Sequence, residues 1–286
     1  MNASPPAPLA ALIQMTSGID PAANLATIDR ALAEAAAQGA AMAFLPEMSL
    51  LLDRDRARSG GHITREADSP WPSALQAMAQ RHGIWLHSGS MPLLADDGER
   101  RVNRSHVIAA DGSIRARYDK VHMFDVTLPS GENWRESATY VGGDALVVVE
   151  TPLGRMGLSI CYDLRFPELY RALADRGAAV LAIPAAFTVS TGEAHWHVLM
   201  RARAIETQCH VVAAAQCGTH GDGRQTYGHS VAIDPWGAIL ADAEGEEAMA
   251  GKGYKMALAP VDPAAAERAR QAIPLERSRA ARNLIL

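Results

Sequence analysis

Short apolar runs alternate with helical patterns along nearly the whole chain, and this alternation limits the folds open to it. Apolar runs of strand length occur at residues 9–15, 41–45, 84–90, 155–160, 179–183 and 210–216. Helical patterns cover residues 22–38, 71–81, 166–176, 193–208 and 263–272. Strands that alternate with helices build sheets with helices on their outer faces, so the chain is predicted to belong to the α/β class. No apolar run approaches the roughly 20 residues of a membrane-spanning helix.

Hairpins are inserted into this alternation. Asp111-Gly112 is a strong hairpin signal between two apolar segments, and similar turns occur at residues 151–154 and 234–237. The hairpin strands and one last strand are predicted at residues 103–110 with 113–118, 146–150 with 155–160, 227–233 with 238–241, and 254–259. Because there is neither a long polar linker nor a repeat of fixed period, residues 1–286 are expected to form a single domain, with residues 1–7 disordered.

Charge and cysteine content exclude several classes of protein. The 27 basic and 32 acidic residues nearly balance, which gives no reason to expect a nucleic-acid partner. Cys161, Cys209 and Cys217 form no C-x-x-C pair, which argues against a disulfide framework and favours a reducing, cytoplasmic location. Cys209 and Cys217 lie beside apolar strand residues and are expected in the core. Residues 1–8 lack the basic and apolar regions of a signal peptide.

Cys161 lies where a predicted strand ends and a predicted helix begins, in the stretch S-I-C-Y-D-L-R-F-P-E. Backbone N–H groups at such a junction point outward unpaired, so they can lower the pKa of a thiol and can hold an oxyanion. Cys161 is therefore a candidate nucleophile. The alternative is that it is a small buried hydrophobic residue, as most free cysteines are.

Two charged residues also follow predicted strands. Glu47 follows A-M-A-F-L-P, and Lys120 follows the strand predicted at residues 113–118. Strand ends converge on one crevice in an α/β sheet, so both side chains can meet Cys161 there. A carboxylate, an ammonium group and a thiol suit acyl transfer as base, oxyanion stabiliser and nucleophile. Taken alone, Glu47 is also explained by a helix start and Lys120 by a solvated surface charge.

Together these motifs resemble the nitrilase, or carbon–nitrogen hydrolase, superfamily over residues 9–271. Its Glu-Lys-Cys triad matches Glu47 in F-L-P-E-M, Lys120 in Y-D-K-V-H-M-F-D, and Cys161. A second glutamate, which orients the lysine and the substrate in that superfamily, matches Glu136 in W-R-E-S, a residue that alone is explained as a loop charge. The resemblance implies a four-layer α-β-β-α sandwich, a homodimer or higher homo-oligomer, and no metal or organic cofactor.

Later segments look like the branch of deaminated glutathione amidases and ω-amidases, with the former nearer. These segments are T-G-E-A-H-W, R-A-R-A-I-E-T-Q-C, A-A-A-Q-C and Y-G-H-S followed by D-P-W-G. The resemblance implies hydrolysis of a linear amide through a thioester on Cys161, with deaminated glutathione cut to 2-oxoglutarate and Cys-Gly. The alternative substrates are 2-oxoglutaramate, a nitrile or an N-carbamoyl amine. A pseudo-enzyme is a further alternative, against which the intact set of four motif residues argues.

Substrate contacts are predicted near Cys161 and at the start of the helix predicted at residues 193–208. The resemblance implies that the backbone N–H of Tyr162 shares the oxyanion with Lys120. Arg165 is a candidate for binding a substrate carboxylate, because guanidinium groups can form two parallel hydrogen bonds to one. Thr188 and His195 are further candidates for substrate contact. Arg201 and Arg203 are candidates too, and a structural ion pair explains each of them equally well.

Other chemistries lack their motifs. His195 and His197 are two residues apart, so they face different sides of a helix, and no carboxylate partner nearby completes a zinc site. Gly251-x-Gly253 follows a loop and lacks the third glycine of a dinucleotide-binding turn. The C-G-S-C-W motif of papain-like proteases is absent. The basic residues within 268–282 are predicted to form a solvated or interface helix and not a nucleic-acid patch.

Overall fold

The computed structural model describes residues 6–128, 131, 133–249, 251–275 and 278. Most of the segment expected to be disordered, residues 1–5, lies outside the described residues, as does much of the basic segment at 268–282. In the described part of the chain, no helix is long and apolar enough to span a membrane.

Strands and helices alternate as the apolar pattern predicts. The strands are β1 (Leu9–Met15), β2 (Ala40–Phe44), β3 (Trp85–His87), β4 (Met91–Leu94), β5 (Arg101–Ile108), β6 (Ile114–Asp119), β7 (Asp125–Thr127), β8 (Asn133–Arg135), β9 (Val148–Thr151), β10 (Gly154–Leu158), β11 (Val180–Ala182), β12 (His210–Ala213), β13 (Cys217–Thr219), β14 (Gln225–Tyr227), β15 (Val231–Ile233), β16 (Ile239–Asp242) and β17 (Tyr254–Pro260). The α-helices are α1 (Pro21–Ala37), α2 (Arg56–Gly60), α3 (Pro70–His82), α4 (Pro167–Asp175), α5 (Val189–Thr207) and α6 (Pro263–Ala272). Short 3-10 helices cover Glu66–Asp68, Glu136–Ala138, Cys161–Arg165 and Glu246–Met249.

Most helices begin at residues whose chemistry favours a start. The carboxylate of Asp20 accepts the N–H of Ala22 at the first turn of α1. Ser69 caps α3 in the same way, and proline is the first residue of both helices. Gly83 ends α3 in the left-handed conformation that glycine adopts without steric cost. The local sequence therefore sets the bounds of these two helices.

Two sheets form the centre of the fold. The first has the strand order β17-β1-β2-β3-β5-β4, with β6 also paired to β5. The second has the order β16-β15-β12-β11-β10-β9. In each sheet three neighbouring strands are parallel, β1 with β2 and β3, and β10 with β11 and β12, while the outer strands pair antiparallel. The parallel strands end at the same edge of their sheet, and the candidate functional residues follow these strand ends.

Apolar side chains of both sheets share one buried cluster. Ala10, Leu12 and Phe44 of the first sheet belong to the same cluster as Met156 and Leu158 of the second, so the sheets pack face to face. A second cluster joins the other face of the first sheet to α1 and α3, while α4 and α5 pack on the second sheet. This arrangement is the predicted four-layer α-β-β-α sandwich.

Left-handed backbone interrupts two of the predicted strands. The run at residues 84–90 is a strand only over Trp85–His87, because Gly89 takes a left-handed φ of 66° and lies against the carbonyl of Pro46. The run at 227–233 is divided between β14 and β15, because Gly228 and His229 both have positive φ values, 82° and 57°. A change to left-handed backbone ends a strand even where the side chains remain apolar.

Candidate active site

Glu47, Lys120 and Cys161 follow the ends of three strands, and the structure brings them together. Glu47 follows β2, Lys120 directly follows β6, and Cys161 follows β10. The ammonium Nζ of Lys120 lies 2.9 Å from Oε1 of Glu47. Cys161 is close enough to both that their charges act on its thiol. The convergence that the sequence predicts is present.

The ammonium group of Lys120 is enclosed by carboxylates. Besides Glu47, it donates to both carboxylate oxygens of Glu136, at 3.0 and 2.9 Å. Burial lowers the pKa of Lys120, but the negative charges of Glu136 and Glu47 outweigh burial and raise this pKa well above its usual value. Lys120 is therefore positively charged at every physiological pH, although only 2% of it is exposed.

The thiol of Cys161 is held protonated by its surroundings. Burial and the carboxylate of Glu47 raise its pKa well above 9.0, and Lys120 lowers it by less. This result differs from the expectation that the strand-to-helix junction lowers the pKa. The backbone N–H that lowers this pKa belongs to Ala186, in the loop after β11, and burial and the carboxylate of Glu47 outweigh it. Activation of this thiol therefore requires a base.

The backbone at Cys161 is strained. Its φ of 49° lies in the left-handed region, which a residue with a side chain rarely occupies. The N–H of Cys161 donates to the carbonyl of Pro184 at 2.9 Å, which fixes this turn against the loop after β11. Strained residues that persist in this way cluster at functional sites.

Neighbouring polar groups fix the two glutamates. Asn103 donates from Nδ2 to Oε1 of Glu47 at 2.9 Å, and the backbone N–H of Phe124 donates to Oε2 of Glu136 at 2.6 Å. Glu47 thus contacts Lys120 through one oxygen and Glu136 contacts it through both, and each carboxylate has a further contact to the scaffold. The sequence analysis did not identify Asn103, whose place inside β5 gave no signal.

Asp163 connects the loop that carries Lys120 to the turn that carries Cys161. Its buried carboxylate accepts the hydroxyl of Tyr118 and the N–H of Ile160, at 2.7 and 2.9 Å. The other oxygen accepts the backbone N–H of His122 and contacts its ring, at 3.0 and 2.7 Å. This residue was also missed by the sequence analysis, although it lies two positions after Cys161.

A cavity of about 320 Å³ opens above these residues. Seven of its lining side chains are cationic and three are anionic. The cationic residues are Arg54, Arg56, Arg101, Lys120, Arg135, Arg165 and Arg224. The anionic residues are Glu47, Asp53 and Glu136. The cavity therefore suits a small anionic molecule.

Of the six residues predicted to contact the substrate, three line this cavity, namely Tyr162, Arg165 and Thr188. His195 does not line it. The imidazole of His195 is exposed on α5, and its Nδ1 lies 3.4 Å from the guanidinium of Arg165. Arg165 also lies over the ring of Phe187, 5.5 Å from its centroid.

Arg201 and Arg203 do not line the cavity and have structural contacts. Arg201 donates to the carbonyl of Gly237 at 2.9 Å. Arg203 is buried, donates twice to the carbonyl of Leu164, and pairs with Glu206 at 2.7 Å. Of the two explanations open for these arginines, these contacts favour the structural one.

The structure adds cavity residues from loops whose geometry the sequence did not indicate. Arg54 donates to Asp222 through its backbone N–H and through Nε, each at 3.0 Å. Arg224 pairs with the same Asp222 and lies 5.1 Å from the ring centroid of Trp134. Contacts between distant loops place these groups in the cavity, so no local sequence pattern indicates them. Among the described residues, the one group of three side chains able to hold a metal ion lies outside this cavity.

Comparison with known proteins identifies the family. Residues 9–271 match the sequence model of the carbon-nitrogen hydrolase family. A deaminated glutathione amidase of Synechocystis sp. is 42% identical over 275 residues, which are 93% of this chain and 96% of that relative. A deaminated glutathione amidase of Homo sapiens is 43% identical over 238 residues, 82% of this chain and 72% of that relative. The chain belongs to the carbon–nitrogen hydrolase family, and it is an amidase-type hydrolase.

Solved structures agree with this assignment and confirm the predicted fold. The NitFhit fusion protein of Caenorhabditis elegans is 36% identical, with a TM-score of 0.85. The match covers 96% of this chain and 65% of that protein. A member of branch 10 of the nitrilase superfamily from Saccharomyces cerevisiae is 31% identical, with a TM-score of 0.81 and coverage of 97% and 99%. A mutant amidase from Nesterenkonia sp., 28% identical with a TM-score of 0.75 and coverage of 95% and 99%, carries acrylamide added to its active-site cysteine.

Proposed function

We propose that this protein hydrolyses deaminated glutathione to 2-oxoglutarate and Cys-Gly through a thioester on Cys161. One observation carries the proposal: the Lys120 ammonium, held by Glu47 and Glu136 beside the Cys161 thiol, lies at a cavity whose charged lining residues are mostly arginines. The names of the relatives, and the modified cysteine of the Nesterenkonia amidase, support the substrate and the nucleophile respectively.

The reaction proceeds by acyl transfer in two halves. Glu47 takes the proton of the Cys161 thiol as the sulfur attacks the amide carbonyl, and a tetrahedral intermediate forms. Glu47 then passes this proton to the nitrogen, the C–N bond breaks, and Cys-Gly leaves with its amino group. The remaining 2-oxoglutaryl group is a thioester of Cys161. Glu47 next removes a proton from water, the hydroxide attacks the thioester, and 2-oxoglutarate and the free thiol result.

Two donors stabilise the negative oxygen of each tetrahedral intermediate. They are the ammonium of Lys120 and the backbone N–H of Tyr162, which lies in the first turn after Cys161, where N–H groups have no partner within the helix. Each donor of this type is worth on the order of 3 kcal/mol in the transition state. Glu136 keeps Lys120 in place through its two contacts at 2.9 and 3.0 Å.

The ends of the substrate carry carboxylates that match the cationic lining. Deaminated glutathione has an α-keto acid at one end and the Cys-Gly carboxylate at the other. Arg165 lines the cavity four residues after Cys161, and among the described residues it forms no ion pair with a carboxylate. Its guanidinium is thus available to a substrate carboxylate. Thr188 can add a hydroxyl contact, and His195 acts on the substrate only by positioning Arg165.

A comparison of two substrates tests the proposal. At equal enzyme concentration, kcat/KM for deaminated glutathione should exceed that for 2-oxoglutaramate, which has no Cys-Gly carboxylate to bind. A preference for 2-oxoglutaramate would make the protein an ω-amidase. No activity on either compound would refute both assignments and direct the search to nitriles and N-carbamoyl amines.

Arg165 can be tested separately with a matched control. Arg165→Gln should raise KM for deaminated glutathione about tenfold or more, because a charged hydrogen-bonding partner of the substrate is lost. Arg171→Gln is the control, since Arg171 lies on α4 and does not line the cavity. Equal effects of the two substitutions on KM would remove Arg165 from the binding site.

We further propose a homo-oligomer of single-domain subunits in the cytoplasm. The three cysteines are free and buried, as expected in a reducing compartment. Apolar side chains are exposed on α5 and on the β15–β16 hairpin: Val198 (69%), Ile205 (49%), Trp236 (63%) and Ile239 (46%). Covering them with a second subunit removes apolar surface from water. Light scattering after gel filtration should give at least twice the monomer mass of 30.5 kDa, and Val198→Asp should lower it.

A further inference from the structure

Three ligand-type side chains meet on the outer side of the second sheet, away from the active-site cavity. His197 comes from α5, His229 from the turn before β15, and Asp242 from the end of β16. Nε2 of His197 lies 2.8 Å from Oδ2 of Asp242, and Nδ1 of His229 lies 3.1 Å from Oδ1. The residues are 13 to 45 positions apart, so the fold, not local spacing, brings them together.

We propose that His197, His229 and Asp242 form a binding site for a divalent transition metal, with zinc as the best match. Two imidazole nitrogens and one carboxylate oxygen are a common zinc donor set, and zinc binds each at about 2.0–2.2 Å. Donors at that distance in a tetrahedron lie about 3.4 Å from one another. The three ligand atoms here all lie within 4.8 Å of one another, so an ion can bind with small side-chain movements.

The surroundings hold two of the ligands in place. Oδ1 of Asp242 accepts the backbone N–H of Glu244 at 2.7 Å. The backbone of His229 is fixed at both ends, because its N–H donates to the carbonyl of Glu244 and its carbonyl accepts the indole N–H of Trp196. Its ring stacks on Tyr227 with a centroid separation of 4.5 Å. Such contacts outside the ligand set orient ligands and strengthen metal binding.

The plain alternative is a pair of His–Asp ion pairs, in which a ring N–H of each histidine donates a hydrogen bond to the carboxylate of Asp242. The two explanations predict different results for zinc binding, because only neutral histidines with free lone pairs can bind metal.

The location makes this site structural and not catalytic. None of the three residues lines the cavity. A bound ion would join α5 to the β15–β16 hairpin, and each ligand side chain is 24–30% exposed in the single subunit. Metal that binds only the native state stabilises it by mass action.

The test uses the full-length protein, freed of metal with a chelator and dialysed. Zinc binding is measured by isothermal titration calorimetry, and the melting temperature is measured with and without zinc. Cobalt(II) is added in a parallel sample, because its absorption spectrum separates nitrogen and oxygen ligands from a cysteine thiolate. The variants are His197→Ala and Asp242→Asn. His195→Ala is the control, since His195 is an exposed histidine on the same helix and not one of the three ligands.

One equivalent of zinc should bind, and the melting temperature should rise by about 5 °C at a hundredfold excess over Kd. Either ligand variant should weaken binding about tenfold or more, while His195→Ala should bind as the wild type does. The cobalt complex should lack a thiolate charge-transfer band. The proposal would be overturned if the wild type bound no zinc, or if the ligand variants bound zinc as tightly as the wild type. A thiolate band in the cobalt spectrum would also overturn it. A folded, active Asp242→Asn protein keeps the test valid if His197→Ala misfolds.

Discussion

Cys161 lies between a carboxylate that raises the pKa of its thiol and an ammonium group that lowers it. Lys120 contacts two carboxylates, Glu47 and Glu136, so this group of three already carries a net negative charge. A thiolate would add a second negative charge inside a buried region, which explains why the pKa of Cys161 is raised and not lowered. In the proposed mechanism the thiol therefore loses its proton as it attacks, and the neighbouring carboxylate of Glu47 is the group placed to accept the proton.

The first prediction compares Cys161 with a second buried cysteine, Cys209. Cys161→Ala should abolish hydrolysis with little loss of stability, because the side chain is small and partly faces the cavity. Cys209→Ala should leave kcat nearly unchanged, since Cys209 bonds to the carbonyls of Ala178 and Thr207 in the core. Product formation and thermal melting of both variants check this. Faster alkylation of native Cys209 than of Cys161 by iodoacetamide would contradict the assignment.

The second prediction separates the two glutamates. Glu47→Gln keeps the shape and removes the base, so kcat should fall by roughly 10²–10⁴-fold or more. Glu136→Gln should reduce kcat by a smaller factor, because Glu136 orients Lys120 and moves no proton. Steady-state kinetics of both variants with one substrate measure the ratio. An equal or larger loss at Glu136 would exchange the two roles.

The third prediction follows from the raised pKa of Cys161. Alkylation by iodoacetamide requires the thiolate. Because the pKa of Cys161 is raised well above the reference pKa of 9.0 for a cysteine thiol, the alkylation rate of the wild type should still be rising at pH 9.0. Glu47→Gln removes the neighbouring negative charge, and the midpoint of the alkylation profile should move to lower pH. The inactive variant should thus alkylate faster than the wild type at pH 8. The same midpoint in both proteins would show that Glu47 does not act on this thiol.

At the scale of elements, the loop that carries Glu47 depends on a glycine in a neighbouring loop. Ser90 donates its backbone N–H to the carbonyl of Pro46, and Ser49 donates to the carbonyl of Ser90. This close approach requires Gly89, since a Cβ there would lie 1.9 Å from the carbonyl oxygen of Pro46. The left-handed backbone of Gly89 thus ends β3 early and lets the Glu47 loop occupy its position.

The fourth prediction compares two glycines that share a left-handed backbone. Gly83→Ala should cost about 1 kcal/mol of stability and leave activity intact, because nothing lies within 4 Å of the added Cβ. Gly89→Ala adds a collision with the backbone of Pro46, so it should cost at least about 3 kcal/mol and lower kcat by moving Glu47. Denaturant unfolding and kinetics measure both. Similar losses for the two variants would show that the contact with Pro46 has no effect on the site.

At the scale of the whole molecule, the sequence predicts the scaffold and the meeting of Glu47, Lys120 and Cys161, but not the cavity. β1 and α6 have the predicted bounds, and the three strand ends meet as expected, because apolar periodicity and strand termini are local properties. Arg54 and Arg224 lie in the cavity because both contact Asp222, from loops about 170 residues apart in the chain. Likewise, Asp163 reveals its role only through Tyr118 and His122. Contacts of this kind are absent from any window of sequence.

The last prediction uses the contrast between the chain and its cavity. The whole chain has a net charge of −5, whereas cationic side chains outnumber anionic ones in the cavity lining by seven to three. An anionic substrate is therefore repelled by much of the surface and attracted at the site, and dissolved ions screen the attraction over about 10 Å at 0.1 M salt and about 3 Å at 1 M. Raising sodium chloride from about 0.05 M to about 0.5 M should lower kcat/KM for deaminated glutathione about threefold or more, mainly through KM. A neutral short amide is the control, and its kcat/KM should stay constant. An equal fall in kcat/KM for both compounds would show that salt acts on the protein and not on the attraction of its substrate.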